Sequence, residues 1–281
     1  MRLANIVDRF ALITPDDQAV DVSRASGGRF SPRIQDCYER WDELLAAAPD
    51  LHRAQGRPLT EVRPHEVGNP APQPRQVFAI GLNYADHAAE AGLAVPEDLT
   101  VFTKFASSLT GPYGTIALPP GTVDWEVELV VVLGRGGRNI PAETAWDHVA
   151  GLSVGQDLSE RTMQSAGPAP QYSLAKSFPG FGPIGPFLVT PDEFEDPDII
   201  ELSCSVNGEQ VQKGTTASMV FPVPEIIARL SRVATLLPGD VIFTGTPPGV
   251  GVGRSPQRFL APGDELVTAI EGIGEMRHRL S

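Results

Sequence analysis

Between Val127 and Leu133 the chain reads Val-Glu-Leu-Val-Val-Val-Leu and stops at Gly134. Side chains of a β-strand point alternately to its two faces, and a strand with one wet face therefore alternates polar and apolar residues. This run loses its alternation after Glu128, as a strand buried on both faces does. A chain containing such a strand has to supply apolar cover above and below one sheet. Asp124-Trp125-Glu126 leads into the run, and the period of two puts Glu126 and Glu128 on one face while Val127 and Leu129 point the other way. Two carboxylates so close repel unless something positive lies between them. A hard divalent cation is one solution, and Mg²⁺ binds through a few carboxylates while keeping water positions open. A solvated strand face accounts for the same residues.

The rest of the composition fits a β-rich globular chain. Of 281 residues, 28 are glycine and 27 proline, spread among apolar segments, which points to many turns between short strands and not to disorder. The formal charge of −13 argues against a nucleic-acid partner, which would need a basic face. Cys37 and Cys204 are the only cysteines and lie far apart, so neither a disulfide framework nor a cysteine metal site is indicated. No segment approaches 18 uninterrupted apolar residues, and the expectation is a soluble, cytoplasmic protein without a membrane partner.

Along the chain, residues 1–67 hold short strand-like pieces such as Phe10–Thr14 and a helical pattern from about Ile34 to Ala48, with Cys37, Trp41, Leu44 and Leu45 on one stripe. Nothing in this part looks catalytic. The Pro-rich stretch 68–76 reads as a linker, so a small N-terminal domain (1–67) and a larger domain (77–281) are expected. The larger one opens with a strand at Val77–Gly81 and a short helix over Asn83–Gly92, on which His87 and Glu90, three apart, share a face. A surface His-Glu pair would look the same.

Gly151–Gln156 reads as a strand leading into Asp157, with Arg161 four residues on. That pattern suits a further metal ligand beside an anion clamp, or equally an N-cap aspartate with a helical arginine. Lys176 lies in the Gly/Pro-rich loop Ser173–Pro183. Leu202–Val206, Asn207-Gly208 and Glu209–Val211 form a hairpin signal with a type I′ turn. Pro224–Leu237 is the clearest helix, with Ile226, Ile227, Leu230, Val233, Ala234 and Leu237 on its apolar face. Val241–Phe243 reads as a buried strand running into Thr244-Gly245-Thr246-Pro247-Pro248-Gly249-Val250-Gly251. Amides there can form an anion nest, but the spacing matches neither the P-loop nor the dinucleotide fingerprint, and no nucleotide cofactor is expected. Strand pieces around Glu265–Ile270 and Glu275–Arg279 close the chain.

Taken in order, Asn83-Tyr84-Ala85-Asp86-His87, Asp124-Trp125-Glu126-Val127-Glu128-Leu129, Asp157-Leu158-Ser159-Glu160-Arg161, Ala175-Lys176-Ser177-Phe178, Gly239-Asp240-Val241-Ile242 and the Thr244–Gly251 loop resemble the fumarylacetoacetate hydrolase family. The resemblance implies a mostly β, α+β architecture, a mixed β-sandwich roll with few helices, and a homodimer. It implies Mg²⁺ or Mn²⁺ (Ca²⁺ in vitro) on Glu126, Glu128 and Asp157. It implies a small oxoacid or diketone substrate, with Arg161 and Gln164 at its polar groups, Thr246 and Gly245 beside its carboxylate, and Lys176 as a second positive charge. His87 and Glu90 match the family's lid dyad, in which the carboxylate orients the imidazole as base toward water. The activity so implied is hydrolysis of a carbon–carbon bond in acylpyruvates or related diketo acids. Decarboxylation of oxaloacetate-like acids and isomerisation of hydroxy-dienoates, both known in the family, are the alternatives, and a non-catalytic dicarboxylate-binding protein is a remote one. Pro179 departs from the family, where many members carry Asp after Lys-Ser-Phe.

Overall fold

The computed structural model describes residues 1–90 and 92–281. Its main feature is a twelve-stranded mixed sheet. Along its main path the strands run Arg57–Pro58, Gln18–Asp21, Arg9–Ile13, Arg2–Ile6, Gly182–Val189, Val149–Gln156, Val127–Leu133, Val241–Phe243, Val77–Gly81 and Thr100–Thr103. Neighbours on this path are antiparallel except Val241–Phe243 and Val77–Gly81, which run parallel. A second sheet has five strands, Glu209–Thr215, Glu201–Val206, Glu265–Ile270, Gly274–Leu280 and Tyr113–Ile116.

The run that opened the sequence reading lies at the middle of the large sheet, and all seven residues of Val127–Leu133 are buried. Leu129, Val131 and Leu133 face one way, into a core shared with Leu202, Val206, Leu266, Ile270 and Met276 of the smaller sheet. Val130 and Val132 face the other, against Tyr38, Trp41 and Leu44. Two covered faces explain the lost alternation. Truncating a residue such as Leu129 to alanine would cost about 2–5 kcal/mol, because the site can collapse only partly.

The cover on the second face comes from the N-terminal segment. Arg2–Ile6 pairs with Gly182–Val189, in the register Leu3 to Leu188, so the segment expected as a small N-terminal domain adds its strands to the same sheet and its helices to the same core. The single helix expected over Ile34–Ala48 is two, Ile34–Tyr38 and Trp41–Leu51, separated at Glu39 and at Arg40, whose backbone (φ −122°, ψ 34°) leaves the helical region. Cys37, Trp41 and Leu44 are buried as the stripe required, whereas Leu45 is exposed.

The strands Val77–Gly81 and Val241–Phe243 have the expected bounds. In the hairpin, Asn207 and Gly208 both take positive φ, 53° and 80°, as a type I′ turn demands. The helix expected over Pro224–Leu237 runs Val223–Val233. Its last residues are diverted because the Leu236 amide and carbonyl exchange hydrogen bonds with Gly137 at 3.0 and 2.9 Å, and Val233, assigned to the apolar face, is 83% exposed. Instead of starting at Asn83, the helix before Gly92 spans Ala85–Glu90; Ala91 lies outside the described residues. Asn83 is held back by its own side chain, which donates to the carbonyls of Phe221 at 3.0 Å and Thr244 at 2.7 Å and accepts from the Phe221 amide.

A candidate metal centre beneath a histidine–glutamate helix

The strands Val127–Leu133 and Val149–Gln156 lie side by side, with Val127 opposite Gln156 and Glu128 opposite Gly155, so Glu128 and the flanking Glu126 and Asp157 emerge at one end of the sheet. Regular pairing is interrupted at Trp125 and Glu126, which belong to no strand. The buried amides Gln156 and Gln212 fill the gap, their Oε1 atoms accepting from the amides of Glu126 at 2.9 Å and Val127 at 3.0 Å. Asp124 serves the neighbouring loop, accepting from the amides of Gly251 at 2.6 Å and Val252 at 3.0 Å.

Each of the three residues offers a carboxylate oxygen within 4.8 Å of the others, and all three side chains are buried. Three buried carboxylate oxygens at that spacing are a donor set that fits a hard divalent cation. Protein cations already crowd the same oxygens. Lys176 Nζ donates to Glu126 Oε2 and Asp157 Oδ2, each at 2.7 Å, and Lys104 Nζ donates to Asp157 Oδ1 at 2.6 Å. Arg161 donates through Nη2 to Glu126 Oε1 at 2.7 Å, through Nε to Asp124 Oδ2 at 2.9 Å and through Nη1 to Gln164 Oε1 at 2.9 Å.

These contacts split the carboxylates electrostatically. Burial pushes Glu126 up, but Lys176, Arg161 and His87 together outweigh it and hold the carboxyl at about 2. Glu128 goes the other way, well above the usual range, because burial is reinforced by the charges of Asp157 and Glu126. The charge of Lys176 and a hydrogen bond from the Gly245 amide to Oε2 at 2.8 Å offset this only in part. That amide is aimed by a backbone at φ +100°, where a Cβ would stand 2.7 Å from the Asn83 Cβ, so glycine is needed at 245. Burial pulls Lys176 down, but Asp157 and Glu126 raise it above its ordinary value; for Lys104 burial wins and the ammonium is lowered.

Above the carboxylates lies a cavity of about 380 Å³, lined among others by Glu126, Glu128, Lys176, Arg161, Gln164, Thr246, His87 and Glu90. His87 Nδ1 lies 3.2 Å from Glu90 Oε2. Glu90 is anchored in turn by the Gly249 amide, at 3.0 Å to Oε1. Burial raises Glu90, yet the bonds from His87 and Gly249 bring it below the usual range, so it stands as a carboxylate. Thr246 is buried, and its Oγ1 accepts from Gln212 Nε2 at 2.8 Å.

All ten residues singled out from the sequence thus fall in or beside this one cavity. Lys176 is the C-cap of a short helix, Tyr172–Ala175, in what had read as an irregular loop. Lys104, Gln156 and Gln212 were not foreseen. Lys104 follows a short strand and resembles any surface lysine in sequence, while the two glutamines look like ordinary strand polars.

A β-sandwich with a buried three-carboxylate centre under a His-Glu helix defines the class of protein. Residues 76–281 match the family model described as fumarylacetoacetate (FAA) hydrolase C-terminal, and the chain belongs to that family. It is 48% identical over 207 residues to the human protein named oxaloacetate tautomerase FAHD2A, mitochondrial; the match covers 73% of this chain and spans 66% of that protein's length. Among solved structures, one described as "a putative HpcE protein" from Mycobacterium smegmatis shares 59% identity at a TM-score of 0.95, covering 100% of this chain and 99% of that one. Maleylpyruvate hydrolase from Sphingobium sp. SYK-6, in complex with manganese (II) ion and pyruvate, shares 28% identity at a TM-score of 0.82, covering 100% and 98%.

Proposed function

We propose that this protein is a metal-dependent hydrolase that cleaves the carbon–carbon bond of acylpyruvates, 2,4-dioxo acids whose products are pyruvate and a carboxylic acid. The observation that carries the reading is the oriented pair at 3.2 Å, His87 and Glu90, over the three carboxylates in one cavity. Mg²⁺ or Mn²⁺ held by Glu126, Glu128 and Asp157 would supply Lewis-acid polarisation of the substrate's carbonyl oxygens.

The residues of the chain do the rest. Glu90, fixed by the Gly249 amide, accepts the Nδ1 proton of His87, which leaves Nε2 bare as the base. Nε2 takes a proton from water as the water oxygen adds to the C4 carbonyl carbon. The C3–C4 bond then breaks, its electron pair passing to C3 as the enolate of pyruvate. A proton returned to C3 completes pyruvate, and the acyl half leaves as the carboxylic acid. Lys176 and Arg161 keep Glu126 ionised, and both line the cavity, where the Lys176 ammonium would add positive charge toward the developing enolate. The helix Ala85–Glu90 covers the reacting end and limits access of bulk water.

A second reading is favoured by the oxaloacetate tautomerase among the relatives: the same base would move a proton between C3 and the enol oxygen without cleaving a carbon–carbon bond. Incubation with Mn²⁺ and acetylpyruvate, and separately with enol-oxaloacetate, followed by NMR, tests both. Acetate with pyruvate supports hydrolysis. Ketonisation without cleavage of either compound moves the tautomerase reading to first place.

A further inference from the structure

We propose that the outer part of the cavity is a subsite for an uncharged, apolar acyl tail, so that the preferred 2,4-dioxo acid carries one carboxylate and not two. This inference rests on the hydrolase reading above and deepens it. Beyond the carboxylates the wall is built from Leu82, Phe102, Pro170, Tyr172, Val250 and Val252. Phe102 and Tyr172 stack with ring centroids 5.6 Å apart, and the Lys176 ammonium stands 5.2 Å from the Phe102 ring centroid, so the apolar wall begins where the charged floor ends. Leu82 is a bulky residue held at φ +57°, a conformation such residues rarely adopt, between the strand Val77–Gly81 and the tied-down Asn83. At about 380 Å³ the cavity falls in the range that accommodates ligands well beyond an oxoacid head group.

The pairing of the charges disfavours a second anion. Among the described residues, Arg161 and Lys176 are the only arginine and lysine lining the cavity. Arg161 is already paired with Asp124 and Glu126 and also donates to Gln164, and Lys176 is already paired with Glu126 and Asp157, so neither positive charge is unshared. The remaining titratable pair on the wall, His87 with Glu90, already contains a carboxylate. A carboxylate at the far end of the substrate would lose its water and find no unshared cation, whereas an alkyl or aryl group would lose only its contact with water.

The test is kcat/KM of the Mn²⁺-loaded enzyme on 2,4-dioxo acids with straight alkyl tails of increasing length and with a phenyl tail, against length-matched compounds ending in a carboxylate. We expect kcat/KM to rise with alkyl length and to exceed that of the carboxylate-ended partners by about tenfold or more, mainly through KM. Val252→Lys, or Thr100→Lys if the first variant does not fold, should narrow or reverse the gap. Equal or better turnover of carboxylate-ended substrates by the wild-type enzyme overturns the subsite while leaving the hydrolase reading intact. If no dioxo acid is cleaved, the hydrolase reading fails, and calorimetric binding of 2-oxo acids with the same two tail types decides the subsite alone: tighter binding of the alkyl series upholds it, and tighter binding of the carboxylate series overturns it.

Discussion

Lys104 Nζ donates to Asp157 Oδ1 at 2.6 Å with both side chains fully buried, which leaves Oδ2 as the oxygen shared with Lys176. The same ammonium also donates to the Lys176 carbonyl. Lys104 therefore sets the rotation of the Asp157 carboxylate and the path of the chain that carries Lys176. Lys104→Met should destabilise the protein by about 1.5–3 kcal/mol, because the buried Asp157 carboxylate loses one of its two ammonium partners and keeps only Lys176. It should also weaken Mn²⁺ binding. Urea unfolding with and without metal measures both, and a metal-free stability within about 0.5 kcal/mol of wild type, the range of an ordinary surface change, would refute the role.

Removing the base should separate turnover from metal binding. His87→Ala or Glu90→Gln should lower turnover by about 10²- to 10⁴-fold with Mn²⁺ affinity nearly unchanged. Glu128→Ala should lose metal and activity together, and a chelator should silence the wild-type protein. Full hydrolysis by the His87 variant would show that the dyad is not the base; loss of hydrolysis with tautomerisation retained would favour the tautomerase reading.

His278 makes stability depend on pH. Its Nε2–H donates to the Gly111 carbonyl at 3.0 Å, and Nδ1 is buried with no partner among the described residues. Burial lowers the imidazole below its ordinary value, and the bond to Gly111 only partly opposes this. The unfolded chain thus binds the proton more readily, so the neutral-His contribution is complete above the unfolded value of about 6.5 and is lost as pH falls below it. Unfolding free energy should fall between about pH 7.5 and 5.5, and His278→Gln should flatten that slope. Parallel pH profiles for variant and wild type would contradict the assignment.

The strand Thr100–Thr103 ends the larger sheet, with Val101 at 47% and Phe105 at 49% exposure beside it. An apolar sheet edge is a pairing surface, and two-fold pairs are the commonest closed assemblies. We expect a homodimer at twice 30.0 kDa in light scattering, weakened by Phe105→Lys. A 30.0 kDa species stable at micromolar concentration would argue against it.

Much of residues 77–281 was legible because its signals are local. Val241–Phe243 is a short apolar run bounded by turns, and Asn207-Gly208 dictates its own hairpin. The pairing of Leu3 with Leu188 was not, because nothing in either segment encodes a partner so distant in the chain. The break at Trp125-Glu126 was hidden for a related reason: it depends on Gln156 and Gln212 reaching across from other strands. Those two side chains replace the missing ladder bonds, a role that no periodicity reports. Lys104 went unseen because burial, and not residue type, makes it matter.

The site has a floor and a roof of different strength. Its three carboxylates stand within or one residue beyond strands that are buried throughout, whereas the roof helix Ala85–Glu90 buries only Ala88. Free energies of local opening follow buried contact, so amide hydrogens over the roof should exchange with solvent long before those of Val127–Leu133. If substrate enters by lifting those few residues while the acidic constellation keeps its shape, the rate of lifting would set a ceiling on turnover that belongs to the helix and not to the chemistry.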